Sequence, residues 1–368
     1  MPHCGYKAPN RLARINKNTK PTGAPNVSLP PKKSATIEDV AKLAGVSIAT
    51  VSRAIRNPEK VAESTRKKVT NAIARTGYTA NVMAQNLRMK RSKMVMVLTP
   101  SIADPNFPGV LIGLEKEAHA RGYGVLIGNT EGAISLEENH MRFLATGVAD
   151  GLVLLTGHLP VAGAPQDPVT QLPPLVAVGR PLEATQTDFV GVDDVAASKM
   201  ATEYLVSLGH RRIVFVGGGT GDVLSDLRHD GYRKGLAECA EELADWRIEG
   251  DGSSEGGRAA VERLFIKDTL PTAFFCFNDN TAIGVIAALR LRGFDVPGDF
   301  SVIGFDDIPF ASNITPALTT IRQPRNKIGE RAMAILLDGL EGQKAEKTSE
   351  KLHGDLVVRE SCGPAGRK

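Results

Sequence analysis

Three regimes of hydrophobic patterning follow one another along the chain. Residues 1–34 are rich in Pro, Asn, Lys and Arg, show no hydrophobic period, and are expected to form a disordered basic arm. From Thr36 the period is helical. Ile37, Val40, Ala41 and Ala44 share one face, Thr36 stands at an N-cap with Asp39 three residues on, and Gly45 suits the left-handed turn that ends a helix. Ser47 is placed to cap a second short helix, with Val51 and Ala54 inward and Ile48, Ala49, Thr50, Ser52 and Arg53 outward. Residues 63–75 predict a third helix with Val69, Ala72 and Ile73 inward, ended by Gly77, with Tyr78 closing a small core. A glycine turn between two short helices, the second carrying small, polar and basic residues, is the layout of a DNA-reading helix-turn-helix. On geometry alone an ordinary helical hairpin is the competing reading.

From Met94 the pattern changes again. MVMVLTP, YGVLIGN, GLVLLTG, PLVAVGR, RRIVFVGG, AFFCFND and FSVIGFD are apolar runs bounded by Gly, Pro or Asp, and predict buried parallel strands. Amphipathic helices are predicted between them at 110–121, 136–147, 195–209, 228–240, 256–265 and 280–293. The fold class is therefore α/β: a small all-α unit followed by two doubly wound halves of parallel sheet.

Charge adds a partner to this outline. The net charge of +4 conceals a basic front: residues 1–34 carry seven Lys or Arg and no acid, and residues 35–93 carry twelve basic against four acidic side chains. Those +7 and +8 balances leave −11 for residues 94–368. A basic front on an acidic bulk points to a polyanion, most simply double-stranded DNA. The apolar runs are too short to span a bilayer, and the N-terminus lacks the apolar stretch of a secretory signal. Cys4, Cys239, Cys276 and Cys362 are scattered, which argues against a disulfide framework or a zinc site and fits a reducing cytoplasm. No metal or cofactor is expected. The glycine-rich GGGTG at 217–221 lacks the ending of a P-loop, and no nucleophile triad or metalloprotease motif stands out, so no enzyme site is expected.

The string DVAKLAGVSIATVSRA resembles the N-terminus of LacI-type bacterial transcription regulators. NITPALTTIRQP and the terminal LVVRES resemble the crossovers that make both halves of a periplasmic-binding-protein-like fold discontinuous, so the resemblance runs from about Thr36 to Cys362. It implies a DNA-binding domain at 35–79, a hinge at 80–93, a two-lobed sensor at 94–363 and a tail at 364–368. The hinge of such regulators orders on DNA and presents a leucine to the minor groove; Leu87 is the matching residue and Arg88 follows it. Ala80 departs from the proline often found there. The resemblance further implies a homodimer reading a palindromic operator, with a tetramer left open, and repression that responds to a small-molecule effector. For the reading helix, Ile48, Ala49 and Arg53 are the candidates for base contacts, because Arg can bond guanine bidentately and apolar groups meet thymine methyls. Thr36, Ser47, Thr50, Ser52, Asn57 and Arg88 are the remaining DNA-contact candidates, chiefly to phosphate.

In an open parallel sheet ligands sit beyond the carboxyl ends of the strands. The residues there are 101–107, Asn129, Thr156, Gly179 and Arg180, Asp193 and Asp194, Asn278 and Asp279, and 305–307, with Arg228 after the glycine-rich loop. Asn, Asp and Arg converging on a cleft suit hydroxyl groups, since fixed donors and acceptors can serve both ends of an O–H. For each singly, turn formation or helix capping is the competing role. The family resemblance implies effector contacts by Arg180, Arg228, Asn278 and Asp306, an aromatic lining from Phe107, and a polar contact from Asp193; Asn106 and Asn129 complete the candidate set. Asn106 and Gly252 stand where relatives often have aromatics, which favours a sugar over a flat base. DPNF, GYGVLIG, LPPLV and IRQP nevertheless resemble the cytidine-repressor branch and keep a nucleoside open. An enzyme with an appended DNA-binding domain would need a nucleophile or metal set, and a solute-binding transport component would need a signal peptide and no residues 36–93; neither fits.

Overall fold

The computed structural model describes residues 35–78, 91–159, 173–182, 187–237, 245–266, 269–343 and 346–366. Contacts divide the chain into two units, the first ending at Val82 and the second beginning at Met83. The expected hinge, including Leu87 and Arg88, lies largely outside the described residues, as does the basic arm.

The first unit contains α1 (Ile37–Ala44), α2 (Ile48–Arg56), a short 3-10 turn (Pro58–Lys60) and α3 (Glu63–Thr76). Thr36 and Asp39 form a full reciprocal capping box, and Gly45 ends α1 at φ 67°. Val40, Ala41, Val51, Ala54, Val69 and Ala72 form the core of the unit, with Ile37, Val46, Ile73 and Tyr78 packed around it. The periodicity of the sequence thus becomes three helices around six small buried side chains.

The second unit holds two six-stranded sheets, each the centre of a lobe. Sheet one takes β1 (Met94–Thr99), β2 (Gly124–Asn129), β3 (Gly151–Leu154), β4 (Leu175–Val178), β5 (Asp188–Val192) and β11 (Ser349–Leu352), in the order β11-β5-β4-β3-β1-β2. Sheet two takes β6 (Ile213–Val216), β7 (Arg247–Ile248), β8 (Ala273–Cys276), β9 (Ser301–Asp306), β10 (Thr319–Arg322) and β12 (Asp355–Val357), in the order β12-β10-β9-β8-β6-β7. Among the described residues all strand pairings are parallel except β10 with β12. The chain enters lobe two after β5, returns to lobe one after β10, and crosses once more after β11, which is what makes both lobes discontinuous.

Alternation along each strand builds two cores per sheet. In lobe one, Val95, Val97, Val153, Val176 and Val190 face α4 (Phe107–Ala120) and α10 (Arg325–Leu340). Met96, Leu98, Leu152, Leu154 and Ala177 face the opposite side, where α5 (Ile134–Ala145) lies. In lobe two, Val214, Phe274, Cys276 and Val302 pack with α8 (Ser254–Leu264) and α9 (Asp279–Leu291). Ile213, Phe215, Phe275, Ile303 and Phe305 pack with α6 (Asp194–Ser207) and α7 (Val223–Ala237). Helices α4 and α10 approach closely enough that a Cβ on Gly113 would stand 2.0 Å from the Asn326 carbonyl oxygen, and one on Gly329 2.1 Å from that of Val110. The α4–α10 contact is therefore fixed by backbone shape.

Several features differ from the sequence expectation. β2 is an edge strand with Ile127 44% exposed, because its place at the end of the sheet leaves one side unpaired and little above it. Helices α4 and α7 begin earlier than expected; Pro108 sits in the first turn of α4, where its missing N–H costs nothing. Helix α10, which the helices expected from the sequence do not include, supplies a buried face to lobe one. The expected tail is tied back at its start, with the Ala365 N–H donating to the Leu208 carbonyl at 2.8 Å. Among the described residues no helix is long and apolar enough to cross a membrane.

Candidate functional site

Between the lobes of the second unit lies a cleft of about 560 Å³, lined by the carboxyl ends of strands from both sheets. Arg228, on α7, organises its floor. The guanidinium is buried. Its Nε donates to Asp194 Oδ1 at 2.8 Å, its Nη1 donates to the Phe277 carbonyl at 2.6 Å, and its Nη2 stands 3.8 Å from Asp306 Oδ1. The face of the guanidinium lies 3.8 Å from the Phe305 ring centroid and 4.8 Å from that of Phe277. Such a group is held from all sides before any ligand arrives.

Asp306 ends β9 with φ at 119°, and Asp307 follows at 57°. Both are conformations an L-residue seldom adopts, so the turn must be held by its surroundings. The Asn106 amide donates to Asp306 Oδ2 at 2.8 Å and the Gln323 amide to Oδ1 at 2.6 Å. Beneath it, the buried carboxyl group of Asp279 accepts from the Thr320 hydroxyl and from the Ile308 N–H. Burial pushes the Asp306 carboxyl up to about 6 against the pull of Arg228. Burial, followed by the Asp306 charge, pushes Asp279 up to about 8. Asp194 is also raised by burial, which outweighs its pairing with Arg228. Arg228 therefore pairs with two buried carboxyls of the floor, Asp194 and Asp306, with that of Asp279 lying beneath.

The remaining walls are polar on one side and apolar on the other. Asn278 caps α9 through the Thr281 N–H and donates to the Gly252 carbonyl at 2.9 Å. Arg180, at the end of β4 in lobe one, reaches Asp222 of lobe two at 2.8 Å. Asp222 is itself fixed, its other oxygen accepting from the Leu224 and Ser225 N–H groups at the start of α7. Phe107, Val110, Leu155, Val178, Phe277 and Ile328 line the apolar part.

Of the eight effector-contact candidates, Asn106, Phe107, Arg180, Arg228, Asn278 and Asp306 line this cleft. Asn129 and Asp193 do not. The Asn129 side chain accepts from the Ile102 N–H at 3.1 Å and so holds the loop that carries Asn106. Asp193 is the N-cap of α6, accepting from Ala196, and the helical phase turns its neighbour Asp194 to the cleft instead. Asp222, Asp251, Ser253, Gln323 and Arg325 also line the cleft without having been singled out. Asp222 follows the glycine-rich loop after β6, where the strand-end rule would have found it; Arg325 opens a helix, where that rule does not look.

In the first unit the outward face of α2 is available. Ile48, Ala49 and Arg53 are exposed, and Thr50 and Ser52 are half-buried. The Ser47 hydroxyl accepts from the Thr50 N–H at 3.1 Å and lies 2.9 Å from the Thr50 hydroxyl. Thr36 is exposed but its hydroxyl is engaged with Asp39, and Asn57 ends α2.

A helix-turn-helix unit joined to a two-lobed cleft of this kind is the layout of a ligand-responsive DNA-binding regulator. The comparisons make the class specific. Residues 36–81 match the family described as bacterial regulatory proteins, lacI family, and residues 202–362 match the periplasmic binding protein-like domain. The transcriptional repressor CytR of Escherichia coli K12 is 36% identical over 329 residues, spanning 89% of this chain and 96% of that protein. The lac repressor dimer bound to operator and the anti-inducer ONPF is similar at a TM-score of 0.78 and 28% identity, over 89% of this chain and 99% of that one. The regulator CelR in complex with cellobiose is similar at 0.67 and 30% identity, over 89% and 99%. The chain belongs to the lacI family of bacterial regulatory proteins.

Proposed function

We propose that this protein is a repressor of carbohydrate uptake or catabolism genes that works in the cytoplasm as a homodimer on a palindromic operator. In this reading Arg53, Ile48 and Ala49 meet base edges, Thr36, Ser47, Thr50, Ser52, Asn57 and Arg88 meet the backbone, and Leu87 enters the minor groove. The effector lies between the lobes, its hydroxyls shared among Asn106, Arg180, Arg228, Asn278 and Asp306. Occupancy alters the angle between the lobes and thereby the spacing of the paired hinges, which sets operator affinity. Support for the dimer comes from the similarity to a lac repressor dimer, and support for a sugar from the similarity to a cellobiose-bound regulator.

The observation that carries the effector reading is the floor itself. Asp306 presents a carboxylate already oriented by amides on both oxygens, beside a guanidinium fixed by Asp194 and Phe277. Preformed acceptors and donors side by side fit vicinal hydroxyls, such as those of a pyranose or a ribose. A nucleoside is the second reading, favoured by the two aromatic rings of Phe107 and Phe277 in the cleft and by the similarity to CytR. A thermal-shift screen of the purified protein against monosaccharides, disaccharides, polyols and nucleosides separates these. A stabilising sugar that also changes operator affinity is the expected result. Stabilisation by nucleosides alone replaces the first reading with the second, and no response across the panel removes the cleft assignment.

A further inference from the structure

Arg325 is the first residue of α10 and belongs to lobe one, yet its guanidinium bonds to both lobes. Its Nη1 donates to Asn106 Oδ1 of lobe one at 3.0 Å and to the Asp306 carbonyl of lobe two at 3.2 Å, while Nη2 donates to the Asp307 carbonyl at 2.9 Å. All three acceptors are neutral, so charge pairing does not account for the arrangement. Shape does: a planar fork with several N–H groups spans acceptors that a single ammonium cannot reach together. Space for the stem is left by helix α4, where a Cβ on Gly109 would stand 2.9 Å from the Cβ of Arg325.

We propose that Arg325 is the positioning residue of the cleft, tying the left-handed Asp306–Asp307 turn to lobe one and dictating which way Asn106 presents its amide. The proposal rests on the reading of the cleft as the effector site. Because Arg325 occupies Asn106 Oδ1, the Asn106 amide nitrogen must face Asp306, and the opposite flip would set two acceptors against each other. The turn is gripped from the other side as well: the Asp307 carboxylate bonds Arg322 Nε and Arg359 Nη2, each at 2.6 Å. Two arginines of lobe two thus hold the Asp307 side chain, and one of lobe one holds the carbonyls. The candidate effector contacts Asn106 and Asp306 therefore reach their present geometry only while the lobes keep their present relation.

The test is hydrogen exchange by mass spectrometry on the full-length chain without ligand, comparing the parent with Arg325→Gln, Arg325→Lys and, as a control of charge at the same helix start, Lys327→Gln. Loss of these hydrogen bonds predicts roughly tenfold faster exchange in peptides covering 104–110 and 304–310, one in each lobe. Lysine should fail to rescue, Lys327→Gln should match the parent, and melting temperature should stay within a few degrees. On an Asn106→Ala background, Arg325→Gln should add nothing further in the 104–110 peptide. Faster exchange confined to α10, or spread through all of lobe one with a large loss of melting temperature, overturns the proposal. So does full rescue by lysine. No ligand is added, so the result stands apart from whether the cleft takes a sugar or a nucleoside.

Discussion

Replacing Arg228 by methionine tests how the floor of the cleft is built. The substitution keeps most of the side-chain volume and removes the charge, leaving Asp194 buried without its ion-pair partner and the Phe277 carbonyl without its donor. Breaking a buried ion pair from one side costs about 3–5 kcal/mol, because the remaining charge stays desolvated. At about 2–4 °C per kcal/mol for a domain of this size, the melting temperature should fall by roughly 6–20 °C. The deficit also has a pH dependence with a definite sign. Asp194 already has a raised pKa from burial, and Arg228 is what holds it down. Without Arg228 it rises further, so the folded variant keeps a proton that the unfolded chain gives up, and the deficit shrinks as pH is lowered. Adding Asp194→Asn should recover part of the loss, with the double variant more stable than the sum of the singles by about 0.5–3 kcal/mol. Circular-dichroism melts of the four proteins at pH 5 and pH 8 measure all of this. A methionine variant melting within about 2 °C of the parent, or strictly additive singles, would refute the account. The structure thus makes Arg228 a member of the fold as well as a candidate effector contact.

Three further outcomes are expected. Asp279 and Asp306 hold protons in the folded state at a pH where unfolded carboxyls have lost them, so their contribution is complete below about pH 4 and is lost as pH rises through about 6 and about 8. Melts between pH 5 and 9 should therefore show a decline that Asp279→Asn flattens, and an unchanged slope in that variant would contradict the assignment. Val51→Ala, at a position with no exposure in the helix-turn-helix core, should destabilise that unit by about 1.5–3 kcal/mol and weaken DNA binding while effector binding stays normal; parallel titrations with duplex and effector decide it. Arg53→Ala should relax discrimination at one base position by about 1–3 kcal/mol, read by binding to a panel of single-base operator variants, and a uniform loss across all variants would place Arg53 on phosphate instead.

Much of this architecture was legible because period and length are local properties. The capping box at Thr36 and Asp39, the left-handed Gly45 and the buried faces of α1–α3 follow from spacing alone. So do the continuous apolar strands, since a parallel sheet covered on both faces leaves no polar side. What the pattern does not carry is neighbourhood. Nothing in YGVLIGN distinguishes an edge from a central strand, because that depends on which strand lies beside it. Asp193 and Asp194 are equivalent in sequence, and only the phase of α6 turns the second into the cleft. Asn129 sits at a strand end like the cleft residues, but its partner is the backbone of Ile102. Arg325 was invisible to the strand-end rule because it acts from a helix start on carbonyls some eighteen residues away in the chain.

The central claim is that the first unit reads a palindrome through charge and a few base contacts. Its most direct test selects duplexes bound by the full-length protein from a random pool, then titrates the enriched sequence across a range of salt. A two-fold symmetric consensus is expected, with an affinity that falls steeply and linearly on a log–log plot of salt, as when several phosphates are neutralised. Enrichment of no symmetric sequence, or binding indifferent to salt, would contradict it.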